Sequence, residues 1–277
     1  FLHWMHGHKK IIDAQKNKKK ATLALKKAEL VFCLDFNELK RINFLGVLID
    51  QLTVPKVLID HHPNPSNFAA YMLHKVEASS TAELIYEFIV SMGGAKLVDK
   101  NIANCLYTGI MTDTGSFRFP MTSVKTHRII AHLMEAGAEN SLNHNRIYDD
   151  NTENRLRLLG FTLSEKLNVL TEFNTAFFTL SDAEHDRFKY QKGDTEGLVN
   201  YALSIRGIVF AAFFAERDGN VKCSFRSKGN FDVNLFARAG FNGGGHKNAA
   251  GGMLELSLQD VVKKFKSLLP MYAKQLK

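Results

Sequence analysis

Asp60-His61-His62 follows the apolar β-formers Val57-Leu58-Ile59 and is followed by Pro63 and Pro65. Neither proline can extend a helix or a central strand. The run therefore predicts a buried strand that stops abruptly, with an acid and two imidazoles at its carboxyl tip. In an open α/β sheet that tip is where ligands bind. Imidazole and carboxylate together form a ligand set for a divalent transition metal. Taken alone, the tripeptide is equally a polar turn. Two other segments also deliver an aspartate straight after apolar residues. Val31-Phe32-Cys33-Leu34 ends at Asp35, and a helix carrying Ile102, Cys105, Leu106 and Ile110 closes at Asp113, in Met111-Thr112-Asp113-Thr114-Gly115. A helix-ending aspartate is by itself a solvated turn residue. Asp35, His61 and Asp113 together form a candidate metal set.

A second kind of chemistry is written near the carboxyl end, in Phe241-Asn242-Gly243-Gly244-Gly245-His246-Lys247-Asn248-Ala249-Ala250-Gly251-Gly252. Consecutive glycines let backbone approach a ligand, and successive N–H groups at a helix start can form an anion nest. The plainer reading is a flexible turn before a short helix. Arg226, on an adjacent alternating strand, has the fork geometry for a phosphate, although an isolated arginine on a strand is commonly a solvated charge.

The elements that must hold these residues follow from periodicity. The continuous apolarity of residues 31–34 predicts a parallel strand covered on both faces. Ser80-Thr81-Ala82-Glu83 fits a capping box, with Leu84, Ile85, Phe88 and Ile89 at helical spacing and Gly93-Gly94 as the stop. Residues 125–172 read as charged helix. From about Asn174 the pattern turns strand-like: 175–180, 208–214, and the alternating 221–227. The last two are joined by Arg217-Asp218-Gly219-Asn220 as a hairpin. Phe117, Phe119 and Phe241 are aromatic candidates for stacking a base, against a plainer place in the core.

The chain has 277 residues, 45% of them hydrophobic, enough for two domains with separate cores. Its net charge of +8 and pI near 9.3 favour an anionic partner such as nucleic acid or a nucleotide, or else serve solubility alone. The lysines among residues 1–28 read as a solvated helix face. Cys33, Cys105 and Cys223 are odd in number and widely spaced, which excludes a disulfide framework and places reduced thiols in a reducing, cytoplasmic compartment. No apolar run approaches the roughly 20 residues of a membrane span.

Asp35 after one strand, Asp60-His61-His62 after the next, Asp113 in Thr-Gly-Ile-Met-Thr-Asp-Thr-Gly, and Gly243-Gly244-Gly245-His246 with a trailing Ala-Ala-Gly together resemble the DHH/DHHA1 phosphoesterases. The branch most like it degrades very short RNA and dephosphorylates 3'-phosphoadenosine 5'-phosphate (pAp). The resemblance covers nearly the whole chain. It implies an α/β fold with a parallel-sheet DHH domain flanked by helices, residues 1–160, and a helical connection, 161–173. A smaller mixed α/β DHHA1 domain, 174–277, completes it, with a cleft between the domains. It implies a phosphoric ester hydrolase of exoribonuclease or pAp phosphatase type, acting through hydroxide activated by two metal ions. Manganese is the usual metal, with magnesium, cobalt and zinc left open. By resemblance Asp35, His61 and Asp113 are metal ligands, Asp60 orients an imidazole, and His62 contacts the scissile phosphate. Arg226, Gly243, Gly244, Gly245 and His246 bind substrate, and the partners are short RNA or nucleotide phosphates, with a homodimer compatible. The alternatives are a pApA or cyclic-dinucleotide phosphodiesterase, a polyphosphatase, and an inactive nucleotide- or RNA-binding module. The family also carries a His and an Asp-x-Asp on its first strand. Residues 1–34 contain only Asp13 and Glu29 as acids, and His6-Gly7-His8 supplies none, so that motif is expected upstream of Phe1.

Overall fold

Two of the apolar runs lie side by side. Strands β1 (Val31–Leu34) and β2 (Lys56–Asp60) pair in parallel, Leu34 opposite Ile59, and β2 pairs in parallel with β3 (Tyr71–His74), Asp60 opposite His74. In this computed structural model, which describes residues 2–277, β1-β2-β3 form the sheet of a first unit ending at Asp150. Phe1 lies outside the described residues. Helices α1 (Lys18–Lys26), α2 (Phe44–Asp50), α3 (Thr81–Ser91), α4 (Lys100–Asp113), α5 (Val124–Glu135) and α6 (Asn140–His144) complete it.

One sheet face presents Val31, Cys33 and Leu58 to a small core with Ile49 of α2, and the other presents Ile59 to Ala78 and Leu84 of α3. The sequence predicts β1 covered on both faces. Instead Phe32 and Leu34 are 44% and 41% exposed. Among the described residues β1 is one of the two edge strands, and α3 reaches its Phe32 through the Phe88 ring. A larger core joins Leu106, Tyr107, Ile110 and Met111 of α4 to Ile129, Ile130 and Leu133 of α5. The predicted capping box is half present. Ser80 caps α3 by accepting from the Glu83 N–H at 3.1 Å, but the Glu83 carboxylate turns to Ser79 and to the Thr126 hydroxyl of α5. It thereby ties two helices together.

The second unit, Asn151–Lys277, is built on a mixed sheet in the order β4-β5-β6-β7-β9-β8. It begins with α7 (Glu153–Glu165), followed by β4 (Asn168–Leu170), β5 (Thr175–Leu180), α8 (Asp182–Arg187), α9 (Leu198–Ser204), β6 (Phe210–Arg217), β7 (Asn220–Ser227), α10 (Val233–Gly240), β8 (Gly244–His246), β9 (Ala249–Leu254) and α11 (Leu258–Leu268). The sequence boundary at residue 160 falls inside α7, whose Leu158 is buried with Phe178 and Leu180 of β5. Residues 168–170, read from sequence as part of a helical connection, pair antiparallel with β5. The Asp218-Gly219 hairpin forms as expected, both residues left-handed at φ 51° and 76°. No helix among the described residues is long and apolar enough to cross a membrane.

Candidate functional site

Asp35 follows β1 in a left-handed backbone conformation, φ 66°, which non-glycine residues adopt at a cost. Its N–H donates to the Ile59 carbonyl at 3.1 Å, and its Oδ1 accepts from the Thr81 hydroxyl at 2.7 Å. Backbone and side chain are thus both fixed, by β2 and by the first residue of α3. Just beyond, the buried Asn37 donates to the Pro63 carbonyl at 2.6 Å, and its own carbonyl accepts from the Ser66 N–H at 2.8 Å. These bonds clamp the loop after β1 to the loop after β2.

Asp60, His61 and His62 are all buried, Asp60 completely. His61 Nδ1 lies 3.1 Å from the Ala78 carbonyl. A carbonyl only accepts, so Nδ1 donates, and in the neutral ring Nε2 carries the lone pair. That nitrogen faces Asp113 Oδ2 at 3.3 Å and Asp35 Oδ1 at 3.8 Å. An imidazole lone pair set against two carboxylates is an arrangement a cation resolves. Asp35, Asp60 and His62 offer a further trio of donor atoms, all within 4.8 Å of one another. The donor chemistry, oxygen mixed with nitrogen, fits a divalent ion.

His62 is held differently. Its N–H donates to Asp60 Oδ2 at 3.2 Å and its Nδ1 to Asp60 Oδ1 at 2.8 Å. Burial pushes the Asp60 carboxyl up, but the hydrogen bonds from His62 and the charges of His62 and His61 outweigh it and hold the group below the usual carboxylate range. With Nδ1 committed to Asp60, Nε2 is the atom through which His62 can act on a ligand. His74 of β3 donates to the His62 carbonyl at 2.6 Å, pinning the turn from the far strand.

Asp113 ends α4, and the loop after it runs left-handed through Gly115, Ser116 and Phe117, at φ 56°, 61° and 64°. A Cβ on Gly115 would meet the Phe119 ring at 2.5 Å, so any side chain there would have to displace that ring. Phe119 is thereby packed against backbone, and Phe117 joins the α4–α5 core.

In the second unit the glycine run forms no helix start. Gly244–His246 and Ala249–Leu254 pair as an antiparallel hairpin. Cβ atoms on Gly243 and Gly252 would meet the Gly251 and Phe241 carbonyl oxygens at 1.9 and 2.1 Å. These glycines admit close backbone packing. Phe241 is fully buried in the core of this unit, which removes it as a base-stacking candidate. The register does put Arg226 and His246 on one sheet face, since each lies opposite Ala249 in its own ladder. Sequence reasoning passed over Thr81, Ala78, Asn37 and His74. Each acts through a bond to a residue distant along the chain, which no local pattern signals.

An acid- and imidazole-lined strand tip beside a helix-terminal aspartate, in a unit followed by a mixed-sheet unit with a glycine hairpin, defines a class that the comparisons name. Residues 2–110 match the DHH family, N-terminal domain, and residues 174–274 match the DHHA1 domain. The chain belongs to the DHH/DHHA1 family. It is 35% identical over 196 residues to the bifunctional oligoribonuclease and PAP phosphatase NrnA of Bacillus subtilis, a match covering 70% of this chain and 60% of that protein. It is 32% identical over 200 residues to the NrnA of Thermus thermophilus, covering 71% and 58%. It thus spans about three fifths of the length of these curated relatives. A solved structure of an exopolyphosphatase-related protein from Bacteroides fragilis matches with TM-score 0.94 at 37% identity, covering 99% of this chain and 81% of that one.

Proposed function

We propose that this protein is a metal-dependent phosphoesterase that hydrolyses short oligoribonucleotides and pAp. The observation that carries the reading is His61 Nε2 facing the Asp35 and Asp113 carboxylates within 4 Å, in a chain related to enzymes named for those two activities. Asp35, His61 and Asp113 would hold divalent metal, manganese by the family resemblance. Bound metal supplies charge neutralisation at the phosphate and a nucleophile at neutral pH.

The residues divide the remaining work. Ala78 and Thr81 fix the His61 tautomer and the Asp35 carboxylate before any ligand arrives, so little reorganisation is left to binding. Asp60 fixes the His62 ring, and His62 Nε2 meets the scissile phosphate and stabilises charge developing there. In the second unit Arg226 and the Gly243, Gly244, Gly245 and His246 hairpin bind phosphate and nucleoside groups. The net charge of +8 favours such anions.

The test is hydrolysis of a dinucleotide RNA and of pAp by folded protein with manganese. Turnover of either supports the assignment, and turnover of neither removes it. His62→Ala is expected to lower kcat by about two orders of magnitude or more, on the scale of losing a preorganised donor, with circular dichroism unchanged. A rate equal to that of the parent excludes the role given to His62.

A further inference from the structure

Three consecutive residues just beyond Asp113 hold left-handed backbone, Gly115, Ser116 and Phe117 at φ 56°, 61° and 64°, and two of them are not glycine. Such conformations persist only where the surroundings impose them. The end of α4 supplies part of the constraint. The Ser116 N–H donates to the Met111 carbonyl at 2.8 Å, and the Phe117 N–H donates to the Thr114 hydroxyl at 3.0 Å. These bonds close a helix end and make no use of the Ser116 side chain. Its hydroxyl instead reaches 28 residues along the chain, to His144 Nε2 of α6 at 3.0 Å.

His144 is itself fixed. Its Nδ1 lies 3.0 Å from the Asn140 carbonyl, which can only accept, so Nδ1 donates and in the neutral ring Nε2 accepts the Ser116 hydroxyl proton. The Asn140 side chain accepts from the hydroxyl of Tyr107, a buried residue of α4, at 2.8 Å. The His144 ring lies against Tyr107, Phe117 and Tyr148, with centroids 6.1, 6.2 and 5.9 Å away. Asn104 fastens α6 to α4, its Oδ1 accepting from the Glu139 N–H at 2.9 Å and from the Asn143 side chain at 2.8 Å. A helix anchored in this way presents one acceptor to a hydroxyl three residues beyond Asp113.

We propose that His144 is a positioning residue of the candidate metal site: through the Ser116 hydroxyl it locks the left-handed turn that ends α4, and so holds Asp113 in place opposite His61. Asp113 is the last residue of α4, 3.3 Å from His61 Nε2, and its backbone runs directly into the locked turn. Asp35 is held by the Thr81 hydroxyl and His61 by the Ala78 carbonyl. The Ser116–His144 pair does the equivalent for Asp113, acting through the backbone rather than on the carboxylate. Groups set in place before an ion arrives leave less ordering to be done on binding. This role rests on the reading of Asp113 as a metal ligand.

The experiment is calorimetric titration of the metal-free whole chain with manganese, alongside thermal unfolding in EDTA. Ser116→Ala removes the donor from a half-buried position, and His144→Phe keeps the ring packing without the acceptor. Each is expected to weaken manganese binding by about tenfold, in the range that follows the loss of a group that orients a ligand. The double variant should lose no more than either alone, since the two side chains act as one pair. His144→Gln, whose amide oxygen can stand in for Nε2 as acceptor, should recover most of the affinity. A parent chain that binds no manganese sinks the metal site, and this role with it. A parent that binds manganese while Ser116→Ala and His144→Phe match its affinity overturns the role alone. So does a loss of thermal stability with affinity unchanged, a double variant in which the two losses add, or His144→Gln binding no better than His144→Phe.

Discussion

At the scale of single residues, the groups that touch the candidate ligands are themselves held by groups that do not. Thr81 is the plainest case: its hydroxyl donates to Asp35 Oδ1 at 2.7 Å and has no place in a ligand set. Thr81→Val keeps the shape and removes the donor. Manganese affinity, measured by titration of metal-free protein, is expected to fall by about 10–100-fold, the usual consequence of losing a group that orients a ligand. The unfolding midpoint should change little, because Asp35 is exposed and water can replace the hydroxyl. Unchanged affinity would show that Asp35 needs no help. Asp60→Asn probes the other arm. Asp60 is fully buried and accepts from both the His62 N–H and its ring. An amide can accept only through its oxygen, so one of these contacts is left facing an NH2 group. Stability is expected to fall by about 1–3 kcal/mol, the penalty of an unsatisfied buried group, and kcat should fall while KM holds. A loss confined to stability would reduce Asp60 to a structural acid.

At the scale of elements, what the sequence made legible was where strands stop. Pro63 and Pro65 forbid continuation, and Asp60 is indeed the last residue of β2. Sheet order is not local information, so nothing in Val31-Phe32-Cys33-Leu34 could say that β1 lies at an edge with Phe32 and Leu34 exposed. The glycines at 243–245 were misread as a helix-start nest for the same reason. The need at Gly243 and Gly245 arises from carbonyl oxygens at Gly251 and Ala249 across a hairpin, and composition cannot reveal those. The Glu87 bridge of α3 is equally tertiary, pairing with Lys75 at 2.6 Å and with Lys125 of α5. Burial pushes the Glu87 carboxyl up, but Lys125 and Lys75 outweigh it and its pKa is lowered. Its contribution to stability is therefore full above the unfolded value of about 4.3 and lost as pH falls through the lower folded value. Lys75 is the mirror image, raised first by its hydrogen bond to Glu87. Its contribution is full below about 10.4 and lost as pH rises through the folded value. In denaturant titrations, Glu87→Gln should be less stable than the parent at neutral pH, with the gap closing below about pH 4. A gap that persists in acid would assign the loss to packing.

At the scale of the whole molecule, the two units differ in what makes them stable, and this can be separated by experiment. The first unit brings Asp35, Asp60 and Asp113 to one place beside two imidazoles, a concentration of negative charge and lone pairs that a bound cation relieves. The second unit has no such burden. Phe177, Phe210, Phe214, Phe225, Phe236 and Phe265 pack ring against ring in a core contributed by Asn151–Lys277 alone. Aromatic pairs of this kind add about 0.5–1.5 kcal/mol each beyond area burial. Leu276 is fully buried in the same core, its carbonyl accepting from Asn174 at 2.8 Å, so this segment is tied back to the residue before β5. A fragment of residues 151–277 is therefore expected to fold alone, melt cooperatively, and be indifferent to manganese or EDTA. The whole chain should gain a metal-dependent rise in its melting profile, since a ligand that binds only the folded state stabilises it by mass action. The rise should vanish in Asp113→Asn. Calorimetry of the fragment and of the chain, each with and without metal, decides the matter. A fragment that responds to manganese as the chain does would mean that the cation is held outside the Asp35–His61–Asp113 cluster.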